Sequence, residues 1–181
     1  MSNLSKMRVD LRLFADLIIT GVISQKDGLP ILGKYLKGLI SSDKKEHCNV
    51  PIVYSLCKYC GQELMGLVPQ RLVQISEELG RESELPKSDF LAPERQIKIK
   101  QLIKDYYTSL TEHIMRQHNT IKKQTRDNER MLDTRGEVDE GRINALSTGL
   151  AVLERLMDHA ACLSPWLNVP MPDLPAISEY R

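Results

Sequence analysis

The segment that most constrains the fold of this chain runs from residue 93 to about residue 131. Nothing in it breaks a helix, because Pro93 suits a first helical turn and no further proline or glycine follows. At about 1.5 Å per residue, such a helix is roughly 55 Å long. Its first half carries apolar side chains three or four positions apart, as a helix packed against a core does: Ile99, Ile103, Tyr106, Leu110 and Ile114.

The second half of this segment, from Arg116 onward, is mostly polar. It keeps only Ile121 and Met131 as isolated apolar positions, so it cannot be buried on all sides. We expect this half to project from the body of the protein or to make one narrow line of contact. A helix that is half anchored and half exposed favours a scaffold over an enzyme.

Basic residues are concentrated in the same half, and we refer to them together as the basic stripe: Arg116, Lys122, Lys123, Arg126 and Arg130. Lys122, Arg126 and Arg130 are four positions apart and therefore share one face of the helix. Such a stripe can follow a phosphate backbone, which makes it the candidate RNA-binding site. The alternative is an ordinary solvated surface, because no aromatic residue is interleaved for base stacking.

The rest of the chain reads as further helices. Apolar periodicity and Gly or Pro breaks predict them at about residues 4–24, 28–41, 51–61, 69–79 and 138–163. The first is apolar on most sides and should be covered from two directions. The predicted class is all-α, with antiparallel hairpins stacked as a HEAT-like α-solenoid. Residues 1–163 form one helical-repeat domain, and residues 164–181 form an extended, Pro-rich tail in which Trp166 or Leu167 docks back.

Composition limits the possible partners and the compartment. The net charge of +1 gives no overall attraction to nucleic acid or membrane, so any such preference must be local. The apolar stretch at residues 11–23 contains Arg12 and Asp16 and is too short to span a bilayer. Without a secretory signal, four scattered cysteines fit a reducing environment. We expect a cytoplasmic protein, with a perinuclear or nuclear location as the alternative, and no membrane partner.

Cys57 and Cys60 form the most enzyme-like motif, because two thiolates one helical turn apart can bind zinc. No second paired-ligand motif accompanies them, and a redox pair would sit at a helix N-terminus rather than near a C-terminus. We therefore interpret both as small core residues, and keep a metal or redox module as the less favoured alternative.

No active site is evident elsewhere. His113, His118 and His159 are single histidines on different helical turns, and neither a nucleophile elbow nor a phosphate-binding glycine loop is present. The sequence therefore predicts a protein that is not an enzyme, with no cofactor, no metal and no small-molecule substrate.

Five segments carry a resemblance to a known family. They are MRVDLRLFADLIITGVISQKDGL (residues 7–29), CKYCGQELMGLVPQ (57–70), YYTSLTEHIMRQH (106–118), NERMLDTRGEVDEGR (128–142) and MPDLP (171–175). None of these strings is a generic helix pattern, and together they span nearly the whole chain. They resemble the family of second up-frameshift proteins of nonsense-mediated mRNA decay. The match is to the later part of the first of three middle domains of the initiation factor four-G type.

The resemblance implies stacked helix pairs and a scaffold role in an mRNA surveillance complex. Its implied partners are proteins of the decay machinery, with RNA as the alternative partner through the basic stripe. In that family the third up-frameshift protein is bound by a later middle domain, and the helicase partner is bound by a C-terminal segment. Neither region matches this chain, so neither contact is assigned to any of its residues. The family's first domain begins several helices earlier, which would leave one side of the first helix uncovered.

Overall fold

The structure is a computed structural model that describes residues 3–174. Within this range it contains six α-helices and no β-strand, so the predicted all-α class is confirmed. The helices are α1 (Asn3–Ile19), α2 (Gln25–Ser41), α3 (Val50–Met65), α4 (Gln70–Glu78), α5 (Pro93–Arg135) and α6 (Glu140–Leu167), with a short 3-10 helix at Glu82–Glu84. None of these helices is long and apolar enough to cross a membrane.

Helix α3 is the centre of the core and packs against α1, α5 and α6. Its buried side chains include Val53, Leu56, Cys57 and Cys60, as the apolar pattern predicted. Gly61 does not end this helix, contrary to the prediction. A Cβ at Gly61 would lie 2.9 Å from a methyl group of Leu67, so this glycine allows close packing. The helix instead ends at Gly66, whose φ of 63° is left-handed.

The first two helices differ from their predicted form. Helix α1 ends at Ile19, before Gly21 turns the chain with a φ of 81°. Helix α1 is covered mainly on one side, because Val9 and Leu13 are 59% and 55% exposed. Helix α2 begins at Gln25 because the Ser24 hydroxyl caps it by accepting a hydrogen bond from the Asp27 amide.

Two smaller burial predictions were wrong. The second helix was expected to bury Tyr35, yet Tyr35 is 42% exposed, whereas Ile40 of α2 is buried. Helix α4 was expected to bury Leu72, Val73 and Leu79, yet Leu72 and Leu79 are 45% and 62% exposed. A one-sided contact explains this difference, because the main contacts of α4 among the described helices are with α6 and the following 3-10 helix.

Helices α5 and α6 form the longest contact in the fold, as an antiparallel pair. The connection between them spans residues 136–139, three positions later than the predicted turn at 133–136, since α5 continues to Arg135 and ends at Gly136 with a φ of 78°. The last helix was predicted to end at about residue 163, but α6 extends four residues further and includes Ser164, Pro165, Trp166 and Leu167. Leu167 is buried, as predicted, but as part of the last helical turn. The non-helical tail begins at Asn168, and Pro175 lies outside the described residues.

Candidate functional site

The basic stripe lies on the half of α5 that extends beyond the main core. Ile121 is fully buried here and supplies the predicted narrow contact line. Beside it, the Gln117 side-chain amide donates a 3.0 Å hydrogen bond to the Gly149 carbonyl oxygen of α6. A Cβ on Gly149 would lie 3.1 Å from Gln117 and 3.5 Å from Ile121. The two helices can therefore approach closely at this glycine, which holds the outer half of α5 in a fixed orientation.

All five members of the basic stripe are exposed. Because a helix turns once in about 3.6 residues, Lys122, Arg126 and Arg130 point away from the side on which Ile121 meets α6. None of these three, nor Lys123, forms an ion pair with a carboxylate of residues 3–174. Their charges are therefore available to a ligand. RNA contact at this surface stays a prediction.

Arg116 differs from the other four members of the basic stripe. Its positive charge acts on two histidines at the base of the projecting half, where it helps to lower the pKa of His47 and of His113. Arg116 therefore stands at the junction between the exposed stripe and a buried polar cluster. The remaining four residues form the more uniform outer surface.

Cys57 and Cys60 are core residues, as predicted. Both are fully buried, and the Cys60 thiol donates to a carboxylate oxygen of Asp16 at 3.5 Å. Burial raises the pKa of each thiol to about 12, so both stay protonated at neutral pH. No group of three or more Cys, His, Asp or Glu residues within the described range is placed to bind a metal ion.

The feature that sequence reasoning missed is a histidine network around the buried His47. The structure brings together His47 of the α2–α3 loop, His113 of α5 and His159 of α6. The Nδ1 atoms of His47 and His113 are 2.9 Å apart, and His47 Nε2 lies 3.0 Å from the Ser109 hydroxyl. His159 Nδ1 donates to the His47 carbonyl oxygen at 3.2 Å. The prediction that His113 and His159 are isolated was therefore wrong.

The Asp43 side chain, near the start of the α2–α3 loop, binds the end of the same loop. Its carboxylate accepts hydrogen bonds from the amides of Cys48 and Asn49, at 2.9 and 2.7 Å, and from the Tyr106 hydroxyl. From α6, the Arg155 guanidinium donates to the Cys48 sulfur and to the Glu46 carbonyl oxygen, at 3.0 and 3.1 Å. Polar side chains from α5 and α6 thus fix a loop that carries strong local turns, including His47 with a φ of 54°.

The histidines of the network are neutral at physiological pH. Burial, followed by the neighbouring His113, lowers the pKa of His47 to about 4, against the opposing effect of Asp43. Burial is also the main cause of the lowered pKa of His113 and of His159. These neutral imidazoles, together with Ser109 and the Tyr106–Asp43 pair, form hydrogen bonds that hold the α2–α3 loop against α5. Their role is therefore structural. Within this network His47 is fully buried, whereas His113 and His159 are half-buried.

Comparisons with known proteins agree with the resemblance predicted from the sequence. Regulator of nonsense transcripts 2 of mouse and of human are each 35% identical to this chain over 173 residues, or 96% of its length. The chain spans only 14% and 13% of those relatives. No family model matches it.

A solved structure extends this similarity to the fold. It is the crystal structure of the first MIF4G domain of the human nonsense mediated decay factor UPF2. The match has a TM-score of 0.86 and 34% sequence identity, and it covers 97% of this chain and 56% of the solved one. The helical-repeat fold and the predicted resemblance are thus confirmed.

Proposed function

We propose that this chain is a non-catalytic scaffold of nonsense-mediated mRNA decay that holds protein partners in a cytoplasmic surveillance complex. The observation that carries the proposal is the similarity, in sequence and in fold, to a domain of a named decay factor over nearly the whole chain. The whole relative is about seven times longer, so the proposal concerns the part of its work that a single helical domain can do.

The chemistry of the described residues supports a binding role. The buried thiols are held protonated by their high pKa, and the buried His47 is held neutral by its lowered pKa and used in internal hydrogen bonds. The exposed surface, in contrast, carries unpaired cations on a rigid helix. Helical-repeat proteins use such extended surfaces to hold partners.

Affinity purification of the tagged chain from cells tests the scaffold role. The proposal predicts that decay proteins co-purify with the chain after nuclease treatment, and that destabilising the fold through its core abolishes their recovery. Recovery of none of them at any salt concentration would contradict it.

A second candidate function, direct RNA binding, is favoured by the orientation and exposure of the basic stripe. Four of its cations lie on a surface that faces away from α6 and lacks internal partners. Phosphate contacts of this kind supply affinity without reading base sequence. We therefore expect binding of single-stranded RNA that is weak, sequence-tolerant and salt-dependent.

Salt titration against a short unstructured RNA tests this binding. Changing Lys122, Arg126 and Arg130 together to Glu should weaken the binding by at least about tenfold and flatten the slope of affinity against salt. The matched control changes three other exposed lysines, Lys6, Lys34 and Lys87, to Glu, with the same change in net charge. If both variants lose the same affinity, only overall charge matters and the stripe is not the site.

A further inference from the structure

An apolar groove with a basic rim runs between α2 and α5, with α3 beneath it. Its volume is ≈ 470 Å³. The groove floor consists of leucines that are at most 3% exposed: Leu32, Leu36, Leu56, Leu64 and Leu91. The lining also includes the half-buried Leu29, Ile99 and Leu102, whose remaining exposed apolar area a partner's apolar side chains can cover, which is favourable at about 25 cal/mol per Å² of apolar area.

The rim of the groove is positively charged. Its lining includes four cationic side chains and no carboxylate: Lys26, Lys37, Arg95 and Lys98. None of the four has an ion-pair partner in the part of the chain that the structure describes. The groove therefore combines an apolar floor with unpaired positive charge, which suits an apolar segment that carries net negative charge.

The shape of the groove suits a short helix. On α2 its lining extends from Gln25 to Lys37, a length of roughly 18 Å at about 1.5 Å per residue. One end is fixed by the Gln25 side-chain amide, which donates a 3.1 Å hydrogen bond to the Phe90 carbonyl oxygen. A helix of three turns or fewer fits this length, with anchors at positions i, i+3 and i+7.

Helix α4 has these properties. Together with its C-cap residue Leu79, it exposes three large apolar side chains at the required spacing, Leu72, Ile75 and Leu79, each between 40% and 62% exposed. The helix and the 3-10 turn after it carry Glu77, Glu78, Glu82 and Glu84 against Arg71 and Arg81, so their net charge is negative. Nine residues make α4 about 14 Å long, within the length of the groove.

From this complementarity we propose that α4 of one copy docks in the α2–α5 groove of a second copy. The contact joins two different surfaces, so it is head-to-tail and leaves a free groove and a free α4 at the two ends of every assembly. The exposed apolar face around Val9 and Leu13 of α1 fits less well, because Arg8, Arg12 and Lys58 outnumber Asp16 there and give it a positive charge like that of the basic rim. This inference goes beyond the proposed function and does not rest on it.

Sedimentation velocity of the purified chain tests the proposal. One helix in one groove is a small interface, so association should appear only between about 10 μM and about 1 mM. It should weaken as salt rises, because the basic rim is solvent-exposed and screened. A chain that stays monomeric over this whole range would overturn the proposal.

Two variants block opposite halves of the contact. A Cβ on Gly33, which lines the groove, meets no atom within 4 Å, so a side chain can leave the helix there without a clash, and Gly33→Trp is designed to occupy the groove with its indole. Gly38 of the same helix is equally open but lies outside the groove, so Gly38→Trp is its control. Ile75→Glu blocks α4, and Ile31→Glu, at another exposed isoleucine, is its control.

Each blocking variant alone should be monomeric, with at least tenfold weaker association than the wild type, whereas both controls should associate normally. An equal mixture of Gly33→Trp and Ile75→Glu should restore association and stop at a dimer, because the mixture contains one intact groove and one intact α4 per pair. Failure of the mixture to associate, or association of Gly33→Trp by itself, would overturn the proposal. Circular dichroism melting curves of all four variants confirm that each is folded.

Discussion

The hydrogen bonds to the Asp43 carboxylate should contribute a large part of the stability of the α2–α3 loop. Asp43 is 6% exposed and Tyr106 is 1% exposed, and three donors converge on the Asp43 carboxylate. A hydrogen bond to a charged group is worth about 1.5–3 kcal/mol, and removing the acceptor leaves buried donors unsatisfied. We expect Asp43→Ala to lower the free energy of unfolding by about 3–5 kcal/mol. This loss is smaller than the sum of three such hydrogen bonds, because water can reach part of the loop after the change and satisfy some of the donors.

Tyr106→Phe removes a single donor, so its expected effect is smaller, about 1–2 kcal/mol. The two losses overlap, because both changes break the same hydrogen bond. The double variant should therefore be about 1–2 kcal/mol more stable than the sum of the single effects predicts.

Urea denaturation followed by circular dichroism measures these free energies. Asp10→Ala, at an exposed aspartate of α1, is the control and should change stability by no more than about 0.5 kcal/mol. If Asp43→Ala lowers the free energy of unfolding by less than about 1 kcal/mol, the hydrogen bonds to Asp43 do not form in solution. If the Asp43 and Tyr106 effects are simply additive, the hydrogen bond between these two side chains does not form in solution.

Two further predictions concern the pH dependence and the packing of the first helices. Because the pKa of His47 is about 4 when folded and about 6.5 when unfolded, the unfolded chain takes up the proton first, and stability falls by up to about 3 kcal/mol as pH drops from 6.5 to 4. Urea midpoints at several pH values measure this fall, and a flat profile would argue against a buried neutral His47. Gly28→Ala should be destabilising by about 1–3 kcal/mol, because its Cβ would lie 2.6 Å from an Ile18 side-chain carbon. Gly33→Ala, in open space on the same helix, should instead stabilise the chain by up to about 1 kcal/mol, so equal thermal shifts for the two variants would contradict this packing.

Much of the helical architecture follows from local sequence patterns. The long α5 is predictable because no helix breaker follows Pro93, and its buried stripe from Ile103 to Ile114 follows from the spacing of apolar residues. Helix ends were harder to predict where a glycine allows close packing, as Gly61 does beside Leu67. In the sequence such a glycine cannot be distinguished from one that ends a helix. Leu72 and Leu79 are exposed because few elements cover α4. That number of neighbours cannot be predicted from a local sequence pattern.

The candidate site divides in the same way. The basic stripe is a local property of one helix, so its shared face could be derived from the spacing of Lys122, Arg126 and Arg130. The histidine network joins His47 to His113 and to His159, 66 and 112 positions away along the chain. Only the three-dimensional packing of α5 and α6 against the loop brings these residues together, and no spacing rule could have found them.

The most direct test of the scaffold proposal is the half-life of a reporter mRNA that contains a premature stop codon. In cells that lack this chain, its re-expression should shorten the half-life of that reporter and leave a matched reporter without the premature stop unchanged. The fold-disrupting Asp43→Ala variant should fail to restore the decay in proportion to its loss of folded protein. Equal half-lives of the nonsense reporter with and without the wild-type chain would contradict a role in nonsense-mediated decay.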